Sequence, residues 1–500
     1  MSPTAALYDP DALRLLEARA TEACGGYAFT LMQRAGQAAW RYLLDYWPQA
    51  QRIVVACGPG NNGGDGYVLA THAQRSGRDV RVLRLDQHAP RSELARRACR
   101  EYLESGGRIE NFDEAMPAAD LFVDALFGIG LSSAPDAATT AMIDATNVQP
   151  APVFALDVPS GVDAGCGHVP GTAIVATRTL QFIAAHCGLA TGKALDHTGA
   201  CDFASLDVPS SAFDGIPVAA TALGPDALSG WLQPRPRDSH KGSNGHVLCI
   251  GGDHGSGGAV MLCAQAALRC GAGLVSVATR GEHVSALLAH CPEVMVHSVE
   301  SADALAALLL RATVIAIGPG LGQASWGRTL LDSATTAGKP ALLDADALNL
   351  LAATPRPVPS DTILTPHPRE AARLLGTTAS NVQADRYAAA RELATRFDCV
   401  VVLKGAGTIV AAPGEIPRVI AAGNPGMAVG GMGDVLSGVI AALRAQGLSA
   451  FDAASCGALL HAAAGDAAAG DGGERGLLPS DLLPHLRRLA NPQVRPQVRR

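Results

Sequence analysis

Aromatic residues make up only 4% of this 500-residue chain and charged residues only 17%. With so few rings, readout of nucleic acid by base stacking is a poor explanation of the sequence. Neither sign of charge dominates, since 39 Lys and Arg against 46 Asp and Glu leave a net charge of −7. Nothing here draws in nucleic acid or an anionic membrane as a whole, so any phosphate-binding site has to be local. No apolar run reaches the roughly 18 residues of a membrane span. The first basic residue, Arg14, comes after Asp9 and Asp11, which is not the pattern of a secretory leader, and a cytoplasmic protein without a membrane partner is expected. The twelve cysteines are scattered, with neither a Cys-x-x-Cys pair nor the Cys/His spacing of a zinc site. They are expected to be reduced, buried and small.

What is abundant is glycine and proline, 55 and 31 residues, within a chain that is 48% hydrophobic. That mix suits buried sheets joined by tight turns. Short β-branched runs at 53–55, 80–85, 121–123 and 153–156, and again at 247–250, 314–317, 341–343 and 400–403, end in glycine-rich or Asp-bearing turns. Between many of them lie Ala- and Leu-rich stretches of helical spacing, so repeated βα units with mainly parallel sheets are predicted. The strand pattern stops from about 209 to 243, where the Pro-rich stretch 233–242 reads as an extended connection. Two α/β domains, 1–225 and 226–490, followed by a loose tail at 491–500, are expected.

In the first domain, residues 57–66 (CGPGNNGGDG) follow a strand and precede a helical run at 67–74. Five glycines in nine positions free backbone N–H groups to approach a phosphate. Gly58, Gly60 and Gly63 also satisfy G-x-G-x-x-G, and Asp86 closes the next strand, which keeps a dehydrogenase in view. A tight turn accounts for the glycines but not for Asn61, Asn62 and Asp65. Asp124 ends another strand and leads into Phe127 and Gly128, and a third strand ends in Asp157, Pro159 and Ser160. If these strands are neighbours, Asn62, Asp124 and Ser160 converge as oxygen donors for a hard cation, and Asp157 can serve as acid or base. Taken singly, each Asp is as readily a helix cap or a turn residue.

In the second domain, strand 400–403 runs into Lys404, Gly405, Ala406, Gly407 and Thr408, and residues 423–434 read GNPGMAVGGMGD. Apolar residues after Asp434 have helical spacing, so glycines 431 and 433 lie at a helix N-terminus. Amides and helix dipole there form an anion hole, and an Asp beside it can take a hydroxyl proton during phosphoryl transfer. No Walker A sequence occurs. Gly322 in GPGLG, Asp344, Asp346 and the proline-flanked His367 stand at other strand ends.

GPGNNGGDG, DALFGIG and LDVPSG, with LMQRAG upstream, resemble the NAD(P)H-hydrate epimerase family, a Rossmann-like YjeF N-terminal domain, over about the first 220 residues. The later motifs, with HKG at 240–242, GG at 251–252 and QAALRCGAGLV at 265–275, resemble the ADP/ATP-dependent NAD(P)H-hydrate dehydratases of ribokinase-like α/β fold over about 235–490. The first resemblance implies that Asn61, Asn62, Gly63, Gly64, Asp65, Gly128, Ile129, Gly130, Leu131, Ser132, Ser133, Ala134 and Asp157 meet the hydrate, and that potassium sits at Asn62, Asp124 and Ser160. The second implies Lys404, Gly405, Ala406, Gly407, Thr408 and Gly433 at the nucleotide, and Asp434, His367, Gly322 and Ala259 at the hydrate, with Asp434 and Asp157 catalytic. It further implies ADP with magnesium as phosphoryl donor, and a homo-oligomer. One departure is His186, where relatives often carry lysine. A vitamin or sugar kinase with a non-catalytic N-terminal module, as in RNA-decapping scaffolds, is the alternative of a different class.

Overall fold

The computed structural model describes residues 4–491 apart from 24, 114 and 132, and these separate into two compact units, one within 6–220 and one from 221 onward with residues 4 and 5. Of the stretch 491–500 expected as a loose tail, all but Asn491 lies outside the described residues, as does Ser132.

The N-terminal unit is built on seven parallel strands in the order Ile109–Asn111, Asp79–Arg84, Arg52–Cys57, Leu121–Ala125, Val153–Leu156, Arg178–Phe182, Ala200–Ala204. Strand Arg52–Cys57 shows why near-continuous apolar runs form such a sheet: Ile53, Val55 and Cys57 pack into one core, while Val54 and Ala56 pack into another on the opposite face. The chain order reverses between Arg52–Cys57 and Leu121–Ala125, which opens a crevice at the carboxyl ends of those strands. The helix after the first turn spans Asn61–Arg75 and so starts six residues before the expected Tyr67. Its glycines lie inside the first turns, where helix propensity alone disfavours them.

The C-terminal unit orders Met295–Ser298, Leu274–Thr279, His246–Ile250, Val314–Ile317, Ala341–Leu343, Ile363–Leu364 and Val400–Leu403 as parallel neighbours. Strands Ile409–Ala411 and Arg418–Ile420 continue the sheet antiparallel. The stretch expected to lack strands contains one, Ala220–Leu223, parallel to Arg418–Ile420. Four residues of mixed polarity are too few for a period-2 signal, and only the waiting edge gives them partners. Helices Gly257–Arg269, Met432–Ala445 and Ala450–Gly472 bury their apolar residues in this unit's main core. Among the described residues the cysteines are free, all but Cys166 and Cys201 of them buried, and no helix is long and apolar enough to cross a membrane.

Candidate active sites

In the N-terminal unit the strands carrying the candidate residues are neighbours, with Asp124 paired to Ala56 on one side and Ala155 on the other. The turn after Cys57 needs glycine at 58, because a Cβ there would stand 1.7 Å from the Leu126 carbonyl oxygen. That closeness holds the helix Asn61–Arg75 against the neighbouring loop and puts Asn62 in the crevice. The Asn62 amide donates to the Phe127 and Leu156 carbonyls at 2.9 and 3.1 Å, and its buried Oδ1 has no hydrogen-bond partner. Asp124 accepts from Ser160 Oγ at 2.6 Å and Ser160 N at 2.7 Å. Burial nevertheless pushes its carboxyl up to about 6.

Asp157 adopts left-handed backbone geometry, φ 63°, and its Oδ1 lies 2.7 Å from His186 Nε2. Buried Asp65 is pushed well up by burial and then by the Asp157 charge. Glu17, surface-exposed on the helix Pro10–Ala23, borders the same group: desolvation beside the crevice and then the Asp157 charge push its carboxyl up, against the pull of His186 and Arg14. Beyond Gly128 the loop runs outward through half-buried Ile129 and Leu131 to exposed Gly130, Ser133 and Ala134, and Asn61 is also exposed. The rival ribose contact, Asp86, instead accepts from the Asn111 amide at 2.6 Å.

The C-terminal candidates gather around Lys404. Its Nζ is 2.7 Å from the buried Asp344 Oδ1 and 3.9 Å from Glu370 Oε2. Burial works against the ammonium, but Asp344 and Glu370 outweigh it and raise the lysine above its usual range. Ser437 Oγ donates to the other Asp344 oxygen at 2.8 Å. A Cβ at Gly433 would lie 3.3 Å from Lys404 Nζ, so the ammonium sits directly beneath the GMGD turn. Gly431, in left-handed geometry, is the N-cap of helix Met432–Ala445, and Asp434 lies in the first turn without capping it. Its carboxyl is pushed up to about 7 by burial and by Asp344, partly opposed by Lys404. Gly322 N donates to Asp346 at 3.0 Å, and Gly320 of the same loop packs against Ala259.

His367 has a structural duty as well: its Nδ1 accepts from Arg369 N at 3.0 Å and Glu370 N at 3.4 Å, capping helix Pro368–Leu375. Nε2 lies 3.5 Å from Glu370 Oε1 and is the ring atom that a ligand can still approach. Thr408 Oγ1 is turned back onto the Gly405 carbonyl at 2.9 Å, while Gly405 and Ala406 are exposed.

Each α/β unit thus gathers its acidic candidates at strand ends and raises at least one of their carboxyls toward neutrality. Residues 28–188 match the family described as YjeF-related protein N-terminus, and residues 247–488 match NAD(P)H-hydrate dehydratase. The chain is 46% identical over 485 residues to the bifunctional NAD(P)H-hydrate repair enzyme of Escherichia coli (strain K12), covering 97% of this chain and 94% of that one. This chain belongs to the bifunctional NAD(P)H-hydrate repair enzymes. The repair enzyme of Coxiella burnetii is 47% identical over 487 residues, covering 97% and 99%. A ribokinase-like superfamily protein from Enterococcus faecalis matches in structure with TM-score 0.51 and 30% identity, over 54% of this chain and 95% of that one. The expected α/β architecture, a YjeF-type domain followed by a ribokinase-like one, is borne out.

Several residues escaped the motifs. Glu17 precedes the matched segment 28–188, and only the docking of its helix brings it to Asp157. Ser437 stands one helical turn after Asp434, a spacing that could have singled it out. Arg386 is fully buried beneath the 404–408 loop, donating to the Leu403 and Lys404 carbonyls at 3.2 and 3.3 Å and to Gln383 at 2.7 Å. Nothing in its surrounding sequence marks it. Arg386→Met leaves those acceptors without their donor and is expected to lower the melting midpoint of this unit by about 5–10 °C in calorimetry.

Proposed function

We propose that the chain repairs hydrated NADH and NADPH, the N-terminal unit interconverting the R and S hydrates and the C-terminal unit returning the S hydrate to the reduced cofactor. The observation that carries the reading is Asp434, held near neutrality beside an anion-binding helix start, in a chain that matches bifunctional repair enzymes along almost its whole length. The hydrate bears a hydroxyl at C6, a poor leaving group. Asp434 takes the hydroxyl proton as the oxygen attacks the β-phosphoryl of ADP and AMP departs. The ring nitrogen lone pair then expels phosphate, and loss of a C5 proton restores the double bond. The Lys404 ammonium and the amides of residues 405–408 and 433 bear the nucleotide's charge, and magnesium bound with the nucleotide would shield its phosphates. Ala259, Gly322 and the His367 Nε2 face the hydrate. A homo-oligomer belongs to the same reading.

In the N-terminal unit Asp157 protonates the C6 hydroxyl. The C6–O bond breaks, water leaves, and the nitrogen lone pair forms C6=N1. Water then adds to the other face, its proton restoring the acid through solvent. Residues 61–65 and 128–134 hold the hydrate in the crevice. Asn62, Asp124 and Ser160 fit potassium, because an orphaned amide oxygen and a buried carboxyl both call for positive charge. Bound potassium supplies that charge. Exchanging it for tetramethylammonium is expected to slow epimerisation and to lower the melting midpoint by about 2–4 °C per kcal/mol of lost binding. Asn62→Leu should remove both responses, as measured by calorimetry and by rate.

The reading is tested by giving the protein mixed R and S hydrates with magnesium and either ADP or ATP, following reduced-nicotinamide absorbance and phosphate. Full recovery with free phosphate supports it. A phosphorylated product retained on the substrate would favour a kinase instead.

A further inference from the structure

His186 stands behind Asp157, away from the ligand's side of the crevice. Its short strand, Ala185–His186, pairs with Thr4–Tyr8, Tyr8 opposite His186, and its N–H donates to Gln181 Oε1 at 2.7 Å. The residue is 2% exposed, so the ring cannot itself reach a bound molecule. Its Nε2 meets Asp157 Oδ1 at 2.7 Å, and its Nδ1 is buried without a hydrogen-bond partner. Among the described residues the imidazole therefore has the Asp157 carboxylate as its one side-chain partner, and any proton it holds on Nε2 is shared with that group.

Asp157 is asymmetric as a result. Oδ1 is clamped by Nε2 and by the more distant Phe182 N–H at 3.4 Å. Oδ2 is turned toward the Gly128 loop, so closely that a Cβ at residue 128 would stand 2.6 Å from it. The left-handed backbone at Asp157, held by its N–H to the Leu180 carbonyl at 2.8 Å, aims the side chain this way. Among the described residues, the charged and titratable groups around the pair include Glu17 and Arg14 on helix Pro10–Ala23, Asp65 on helix Asn61–Arg75, and Tyr8 opposite His186 in the strand pair. Glu17 and Asp65 thus crowd the Asp157 carboxyl, and a positive charge on His186 offsets the negative charge that Asp157 acquires.

We propose that His186 is a positioning residue of the epimerase site, clamping one oxygen of Asp157 so that the other meets the C6 hydroxyl, and making epimerisation follow pH as a lysine at that place would not. The proposal rests on the epimerase reading of the N-terminal unit. When Asp157 gives its proton to the departing hydroxyl, the carboxylate left behind keeps its hydrogen bond from Nε2. A histidine provides that bond with or without a net charge, depending on pH, whereas lysine provides it as a standing cation.

The test follows R-to-S epimerisation by the full-length wild type, H186Q and H186K from about pH 5 to 9, the span over which imidazole charge changes. The calorimetric unfolding transition of the N-terminal unit reports that each variant is folded, and dehydration of S hydrate by the same preparations calibrates the amount of active chain. H186Q is expected to lower kcat by about 100-fold with KM changed by less than about threefold, the signature of a misplaced acid. H186K is expected to recover at least about a tenth of the wild-type kcat and to lose one limb of the wild-type pH profile. The proposal is overturned if H186Q stays within about twofold of wild type, or if H186K keeps the wild-type profile. It is also overturned if H186K keeps the unfolding transition of its N-terminal unit yet does not epimerise. A wild type that dehydrates but never epimerises overturns the epimerase reading itself, which is a distinguishable result.

Discussion

Asp434→Asn is expected to reduce dehydration of the S hydrate by about 10²–10⁴-fold while leaving epimerisation at the wild-type rate. The amide keeps the size of the carboxyl in its half-buried place on the first turn of helix Met432–Ala445, but it cannot take a proton. It also removes a negative charge from beside Asp344 and Asp346, so folding is not the casualty. The expected loss is in kcat, because the proton moves only as the phosphoryl group transfers. The wild-type pH profile carries the same signature. Burial and Asp344 raise the Asp434 carboxyl to about 7, so the base is protonated, and inactive, below that value. Dehydration should therefore rise with pH through about 7, and at pH 6 reach about a tenth of its plateau. Stopped assays of AMP and phosphate release at saturating ADP measure both. A dehydration rate in Asp434→Asn within a few-fold of wild type would take the base role away from this residue.

The mirror result is expected for Asp157. Asp157→Ala removes the acid, and Asp157→Asn removes it while keeping a side chain that tolerates the left-handed backbone, φ 63°, and can still meet His186. Epimerisation should fall by about 10²–10⁴-fold in either variant, with ADP-dependent dehydration unchanged. Given mixed epimers, each variant should recover the S share at the normal rate and the R share only as fast as the hydrates interconvert unaided. The alanine variant should in addition be less stable by about 1–2 kcal/mol, the cost of an ordinary residue in left-handed geometry. Rapid recovery of both epimers by Asp157→Asn would show that the proton comes from elsewhere, with Glu17 and Asp65 the groups to change next.

The same two carboxylates show how far a sequence can be read. Asp157 and Asp434 follow apolar strands or glycine-rich turns, and local spacing alone places them at a strand end and in a helix's first turn. The βα repeats likewise gave two parallel-sheet units, and the motifs carried the family. Other parts of the sites are long-range. The Lys404–Asp344 pair bridges 60 residues, Ser160 reaches Asp124 across 36, and His186 reaches Asp157 across 29. His367 looked like a ligand contact because prolines fix it, and those same constraints let it cap a helix. Strand Ala220–Leu223 was invisible because its partner lies almost two hundred residues on, at Arg418–Ile420.

By itself the sequence determined which residues can do chemistry and which local elements carry them, since polar groups beside glycines at strand ends follow from periodicity and turn propensity. Only the tertiary structure decided which of those groups meet, because strand order is set by how the apolar faces of all the βα units pack together, and no local window contains that information. The orphaned Asn62 oxygen, the ammonium beneath the GMGD turn and the imidazole clamped on Asp157 are products of that order. The Asp434 and Asp124 carboxyls, ordinary acids in the unfolded chain, are raised toward neutrality by the burial that order imposes.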